Sequence, residues 1–174
     1  MEMSNKQKAV ALLKSMETGD KGPLNYINSQ KYIEHNLVIA DGFVGFSTLL
    51  SHLPLNSLKV NAVRAFQDGD FVFTHSHCNF LGPIISFDIF RFEDGKIVEH
   101  WDNLEENADP NPSNHTMSDN IIMIKDRDRT EDNKTFVRSF VDDILINVKL
   151  DILTSYFEGD NYVQHSPNIS AQLT

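Results

Sequence analysis

The sequence predicts an α+β fold: a cone of curved antiparallel sheet packed with N-terminal helices, followed by C-terminal helices. Three observations predict it. Residues 5–53 carry apolar side chains at helical spacing, residues 58–103 switch to short β-branched and aromatic runs separated by turns, and helical spacing returns after residue 130. Helices first and consecutive strands afterwards is an α+β order, in which the helices cover one face of the sheet.

Each element has a local reason. Ser4 is placed to cap a first helix whose apolar positions are Ala9, Val10, Leu12, Leu13 and Met16. Gly19 and Gly22-Pro23 end it, and a short helix is expected over residues 24–28. Tyr32 and Ile33 lead into Glu34-His35-Asn36. A third helix follows Asp41-Gly42, with Phe43, Phe46, Leu49, Leu50 and Leu53 on one face, and Pro54 closes it. Strands are expected at residues 58–66, 71–80, 86–92 and 96–103. The turns fall at residues 67–70, at Gly82-Pro83 and at Glu93-Asp94-Gly95.

This places the cone domain at residues 1–108 and a linker rich in Asn, Asp, Pro and Ser at residues 109–130, with an edge strand expected at residues 121–124. Residues 131–174 form a helical segment. It contains Tyr162-Val163-Gln164-His165-Ser166, which repeats Tyr32-Ile33-Glu34-His35-Asn36 at an offset of 162 − 32 = 130 residues, again after a helix and a short helix. That self-similarity suggests the start of a second, incomplete copy.

The bulk properties exclude several functions. A net charge of −10, spread along the chain, opposes nucleic-acid binding, which depends on Lys and Arg neutralising phosphates. There is no long apolar run to span a membrane, and the opening residues lack the apolar core of a signal peptide. With the single Cys78, this points to a cytoplasmic protein without disulfides. Phosphate-binding loops, dinucleotide fingerprints and nucleophile elbows are absent. His75-x-His77 puts two imidazoles on one side of a strand, but the glycine-rich lead-in and glutamate of a cupin-type metal site are missing. No metal is expected.

The informative stretch is the hairpin F-D-I-F-R-F-E-D-G-K-I-V-E-H-W-D at residues 87–102. A two-residue Asp94-Gly95 turn sets Asp88 opposite Trp101. A three-residue turn closed by Gly95 pairs Phe92 with Lys96, Asp88 with His100, and Ser86 with Asp102. The second register is the one expected. It gathers Asp88, Phe90, Val98, His100 and Asp102 on one face. Asp102 is then a candidate general acid/base, because enclosure by apolar groups raises a carboxyl pKa, and His100 can orient or share the proton.

The pattern Y-I-E-H-N, G-D-x-V-x-x-H at residues 69–75, D-I-F-R at residues 88–91 and G-K-I-V-E-H-W-D at residues 95–102 resembles SnoaL-like proteins of the nuclear transport factor 2-like fold. The resemblance implies a polyketide-cyclase-like aldol condensation without metal or organic cofactor. It makes Asp102 the acid/base with His100 and His35 as polar partners. The substrate contacts would be Asp88, Tyr32, Phe90, His75 and Trp101. This chain departs from the family by carrying Asp88 where a histidine often stands. Two carboxyl groups facing one hollow repel, so one should titrate high. The resemblance also implies a small-molecule ligand and a homodimer. A ligand-binding or interaction domain without chemistry, or an isomerase or dehydratase, fits the same residues.

Overall fold

The structure is a computed structural model and describes residues 2–54, 58–80, 82–119, 122–159 and 162–168. The chain divides into two compact units, Met1–Asn107 and Ala108–Thr174.

In the first unit, helix α1 (Asn5–Thr18) begins at a capping box. The Ser4 hydroxyl accepts from the Gln7 amide, the Gln7 side chain accepts from the Ser4 amide, and Gly19 closes the helix in the left-handed region. A 3-10 turn at Gly22–Tyr26 replaces the short helix expected two residues later, since Pro23 is pre-set for a first helical position. Strand β1 is Ile33–Glu34 and helix α2 is Gly42–His52. The long strands are β2 (Lys59–Asp68), β3 (Phe71–Asn79), β4 (Pro83–Glu93) and β5 (Lys96–Glu106). The sheet runs β1-β5-β4-β3-β2, with β1 parallel to β5 and all other pairs antiparallel.

Alternation sorts the long strands into two faces. The inner face packs Val72, Cys78, Phe90 and Phe92 against Ala9, Leu12 and Leu13 of α1 and Phe46 of α2. The outer face carries aromatic rings in mutual contact, among them Phe66 with Phe73 and Phe73 with Phe87. Gly45 is fixed by contact. A Cβ there would lie 1.5 Å from the Ala40 carbonyl oxygen, so α2 packs on the loop that carries Asn36 only because position 45 has no side chain.

The hairpin register differs from expectation. Asp94 and Gly95 have φ of 51° and 72° and form a two-residue turn, with Glu93 opposite Lys96. The bulge lies further along. Phe92 pairs with Ile97 but Arg91 with Glu99, leaving Val98 as the extra residue of β5. Beyond it, Phe90 faces His100 and Asp88 faces Asp102, two residues along from the expected pairs. The turn residues select the tight turn, and the bulge then restores the face on which Asp88, Phe90, His100 and Asp102 stand together.

The second unit contains α3 (Thr130–Phe140), which continues as a π-helical turn at Val141–Ile146, and a 3-10 segment at Leu150–Tyr156. Residues 122–124 form no strand, and residue 121 lies outside the described residues. The repeated motif closes the same local loop twice. In the first unit the Tyr32 hydroxyl donates to Glu34 Oε2 at 2.7 Å and the Asn36 amide donates to Glu34 Oε1 at 3.1 Å. In the second, Gln164 Nε2 donates to the Tyr162 hydroxyl at 3.1 Å and the Ser166 amide donates to Gln164 Oε1 at 2.9 Å. Among the described residues, no helix is long and apolar enough to cross a membrane.

Candidate functional site

Between the inner sheet face, α1, α2 and the loop after β1 lies a hollow of about 550 Å³. Its walls include Leu12, Met16, Phe46, Leu49, Phe80 and Ile84. Its polar groups are Asn36, Ser86, Asp88, His100 and Asp102, with Glu105 and Glu106 where β5 ends. An apolar cavity with a few convergent polar groups is the usual form of a small-molecule site.

His100 organises the polar end. It is 4 % exposed, and its ring stacks on its cross-strand neighbour Phe90 at 4.5 Å between centroids. Nδ1 donates to Glu34, 3.1 Å from Oε1, and Nε2 donates to Asp88 Oδ1 at 3.1 Å. Burial alone would depress its pKa. The hydrogen bonds and charges of Asp88 and Glu34 outweigh that and push it up to about 9, so the ring is an imidazolium at neutral pH.

Glu34 reaches His100 because the parallel β1–β5 pairing sets the two residues side by side. Its backbone amide donates to Asp41 Oδ1 at 2.9 Å, the same oxygen that accepts the Gly42 amide where α2 begins. Desolvation pushes its carboxyl upward, but His100, Tyr32 and the Asn36 amide together bring it below the ordinary range. The Tyr32 hydroxyl is held protonated, first by burial and then by the Glu34 charge. Asp88 is completed by the hydroxyls of Thr74, at 3.2 Å, and Ser86. The result is a buried charge network in which each member has partners, as buried ions require.

Asp102 is different. It is half-buried beside this network and accepts from Asn36 Nδ2 at 2.6 Å. Desolvation is the largest influence and raises its pKa. The Asn36 hydrogen bond and the His100 charge oppose it, whereas Asp88, directly across the strand, and Glu34 add to the rise. Of the two facing carboxyl groups, Asp102 is thus one pushed toward working pH. Cys78, also on the wall, has its thiol pushed up to about 12 by burial and then Asp88, so it stays protonated.

The structure brings Asp102, His100, Asp88 and Phe90 to the hollow, with Tyr32 behind Glu34. It places His35, His75 and Trp101 elsewhere. His35 stacks on Trp101 at 4.7 Å and contacts Glu99 through Nε2 at 2.9 Å. His75 stacks on Phe87 at 4.4 Å, with Nδ1 3.3 Å from Arg64. None of the three lines the hollow. Glu34 and Asn36 join the site beyond the expected residues, and the two-residue period starting from Tyr32 signals both. Among the described residues no group of three His, Cys, Asp or Glu side chains is placed to hold a metal ion.

No family model matches the chain, and no curated protein does. Solved structures do. A nuclear transport factor 2-like protein of unknown function from Burkholderia xenovorans matches with a TM-score of 0.52 and 17% identity, covering 63% of this chain and 88% of its own. A candidate ketosteroid isomerase from Kribbella flavida matches with a TM-score of 0.52 and 10% identity, covering 71% of this chain and 91% of its own. An LEH-like epoxide hydrolase of M. tuberculosis matches with a TM-score of 0.50 and 17% identity, covering 58% of this chain and 82% of its own. The fold is therefore nuclear transport factor 2-like, an α+β cone.

Proposed function

We propose that the cone is a SnoaL-like acid/base catalyst that acts on a small, mostly apolar carbonyl compound without metal or organic cofactor. The observation that carries this is Asp102, a carboxyl group with a raised pKa at the edge of an apolar hollow. Such a group accepts a proton from an acidic carbon and returns it efficiently near neutral pH. In an aldol-type reaction Asp102 takes the carbon-bound proton, the enolate carbon bonds to a carbonyl carbon, and the proton passes to the new alkoxide oxygen. Asn36 holds one Asp102 oxygen and leaves the other for the substrate. The His100 charge limits the cost of ionising Asp102.

The test is solvent-deuterium exchange. Apolar β-dicarbonyl compounds incubated with the protein in deuterated buffer are followed by proton NMR, and exchange at the activated carbon should exceed the buffer rate by about 100-fold or more. Exchange at the buffer rate for every compound that binds would remove the acid/base assignment. A ligand-binding role would remain. One observation favours that second reading. The nearby donors are committed within the protein: Asn36 Nδ2 to Asp102, Ser86 Oγ to Asp88 and both His100 nitrogens to carboxyl groups. Among the described lining residues, a protonated Asp102, the second Asn36 Nδ2 hydrogen and the weakly donating Cys78 thiol are then what is left to stabilise an enolate.

We further infer that the second unit begins another copy of the fold. The matching loop geometry at Tyr162, Gln164 and Ser166 supports this. A homodimer through the outer sheet face is inferred from Phe66, Phe71, Phe87 and Ile89, each more than one-third exposed. Light scattering should report twice the chain mass. It should report a single mass for a variant with Phe71→Lys and Ile89→Lys, and an unchanged mass in that variant would exclude this face.

A further inference from the structure

The hollow is short of positive charge. Among the described residues its lining contains three Asp or Glu side chains beyond Asp88, namely Asp102, Glu105 and Glu106, and no lysine or arginine. Its only cationic group is His100, and both ring nitrogens of His100 are already engaged by Glu34 and Asp88. Asp102 has Asn36 on one oxygen, a neutral donor that supplies no charge. A carboxylate drawn from water with no cation bonded to it is unfavourable, and burial raises the Asp102 pKa against the pull of the His100 charge. Apart from Ser86 and Cys78, the rest of the wall is mainly hydrocarbon.

We propose that the compound this hollow takes is an apolar amine, whose ammonium pairs with Asp102 and whose hydrocarbon body lies against Leu12, Met16, Phe46 and Leu49. This rests on the hollow being the ligand site, as proposed above. It is the ligand-binding reading of that site, since an ammonium on the free Asp102 oxygen occupies the position from which a carbon-bound proton would be taken. A charge-assisted N–H···O bond is shorter and stronger than a neutral one. The ammonium also supplies a directly bonded countercharge, where His100 acts on Asp102 through its charge alone. A carboxylate ligand meets the reverse: it loses water and approaches Asp102, Glu105 and Glu106 with like charge. Phosphate-bearing compounds are refused for the same reason.

Three probes of one shape separate the terms: adamantylamine, adamantanol and adamantanecarboxylate, with affinities measured by calorimetry on the full chain. At about pH 8, where an alkyl ammonium of lysine-like pKa stays charged, adamantylamine is expected to bind at least about tenfold more tightly than adamantanol. Adamantanecarboxylate should bind at least about tenfold more weakly than adamantanol. Lowering the pH through the raised Asp102 pKa should erode the amine's advantage as Asp102 takes up a proton, and leave adamantanol unchanged. Asp102→Asn should abolish the advantage at every pH, again with adamantanol unchanged. The wild-type pH series stands even if the variant folds poorly. Binding of adamantanol with no preference for the amine would overturn this inference and leave the hollow as a ligand site. If none of the three probes bound, the hollow itself would be lost as a site, and the inference with it.

Discussion

Replacing His100 by leucine is expected to cost the cone about 3–5 kcal/mol, because it strands two buried carboxyl groups that the imidazolium now joins. Glu34 and Asp88 are 7 % and 3 % exposed, so neither can turn to water. Urea unfolding followed by the fluorescence of Trp101, the only tryptophan, reads the loss directly. Adding Glu34→Gln and Asp88→Asn to His100→Leu should recover part of it, since the charges that need a partner are gone. A cost below about 1 kcal/mol for His100→Leu would mean that the network is not charged as described.

The same network fixes how stability depends on pH. The His100 pKa is raised from 6.5 to about 9 in the folded state. Its contribution is therefore complete below 6.5 and is lost as the pH rises through about 9. Glu34 has the opposite sign. Its pKa is lowered from 4.5, so its contribution is complete above 4.5 and is lost as the pH falls through the folded value. Stability should hence fall as the pH rises from 6.5 through about 9, and His100→Leu should flatten that limb.

Asp102→Asn is the second large effect, and it separates function from stability. Deuterium exchange should fall by about 10²–10⁴-fold, the usual worth of a positioned acid/base. Stability above the folded Asp102 pKa should rise. A carboxyl group whose pKa is raised on folding costs stability when ionised, and the amide keeps an oxygen for Asn36. Faster or equal exchange in the variant would assign the proton transfer elsewhere. Lower stability would mean that Asp102 serves the fold.

Much of this was legible in the chain, and the limits are instructive. The Ser4 cap, the Asp41-Gly42 start of α2 and the four long strands follow from local propensity and turn residues, and all are present. Alternation also put Asp88, Phe90, His100 and Asp102 on one face. Carried through with equal rigour, it separates His35 from Tyr32 and Glu34, and Trp101 from His100, because adjacent strand residues point to opposite faces. The resemblance drew His35 and Trp101 toward the site as motif members. The period-2 rule places them outside it.

By itself, then, the sequence determined the order of the elements and the grouping of Asp88, Phe90, His100 and Asp102 on one face of the hairpin. Both depend on neighbours within a few residues. Only the tertiary structure decided that Glu34 lies beside His100, that Asn36 reaches Asp102, and that a bulge at Val98 sets Asp88 against Asp102. Those contacts join residues more than sixty positions apart, or depend on how one strand absorbs an extra residue. Their energies come from burial and countercharge, which no local pattern records.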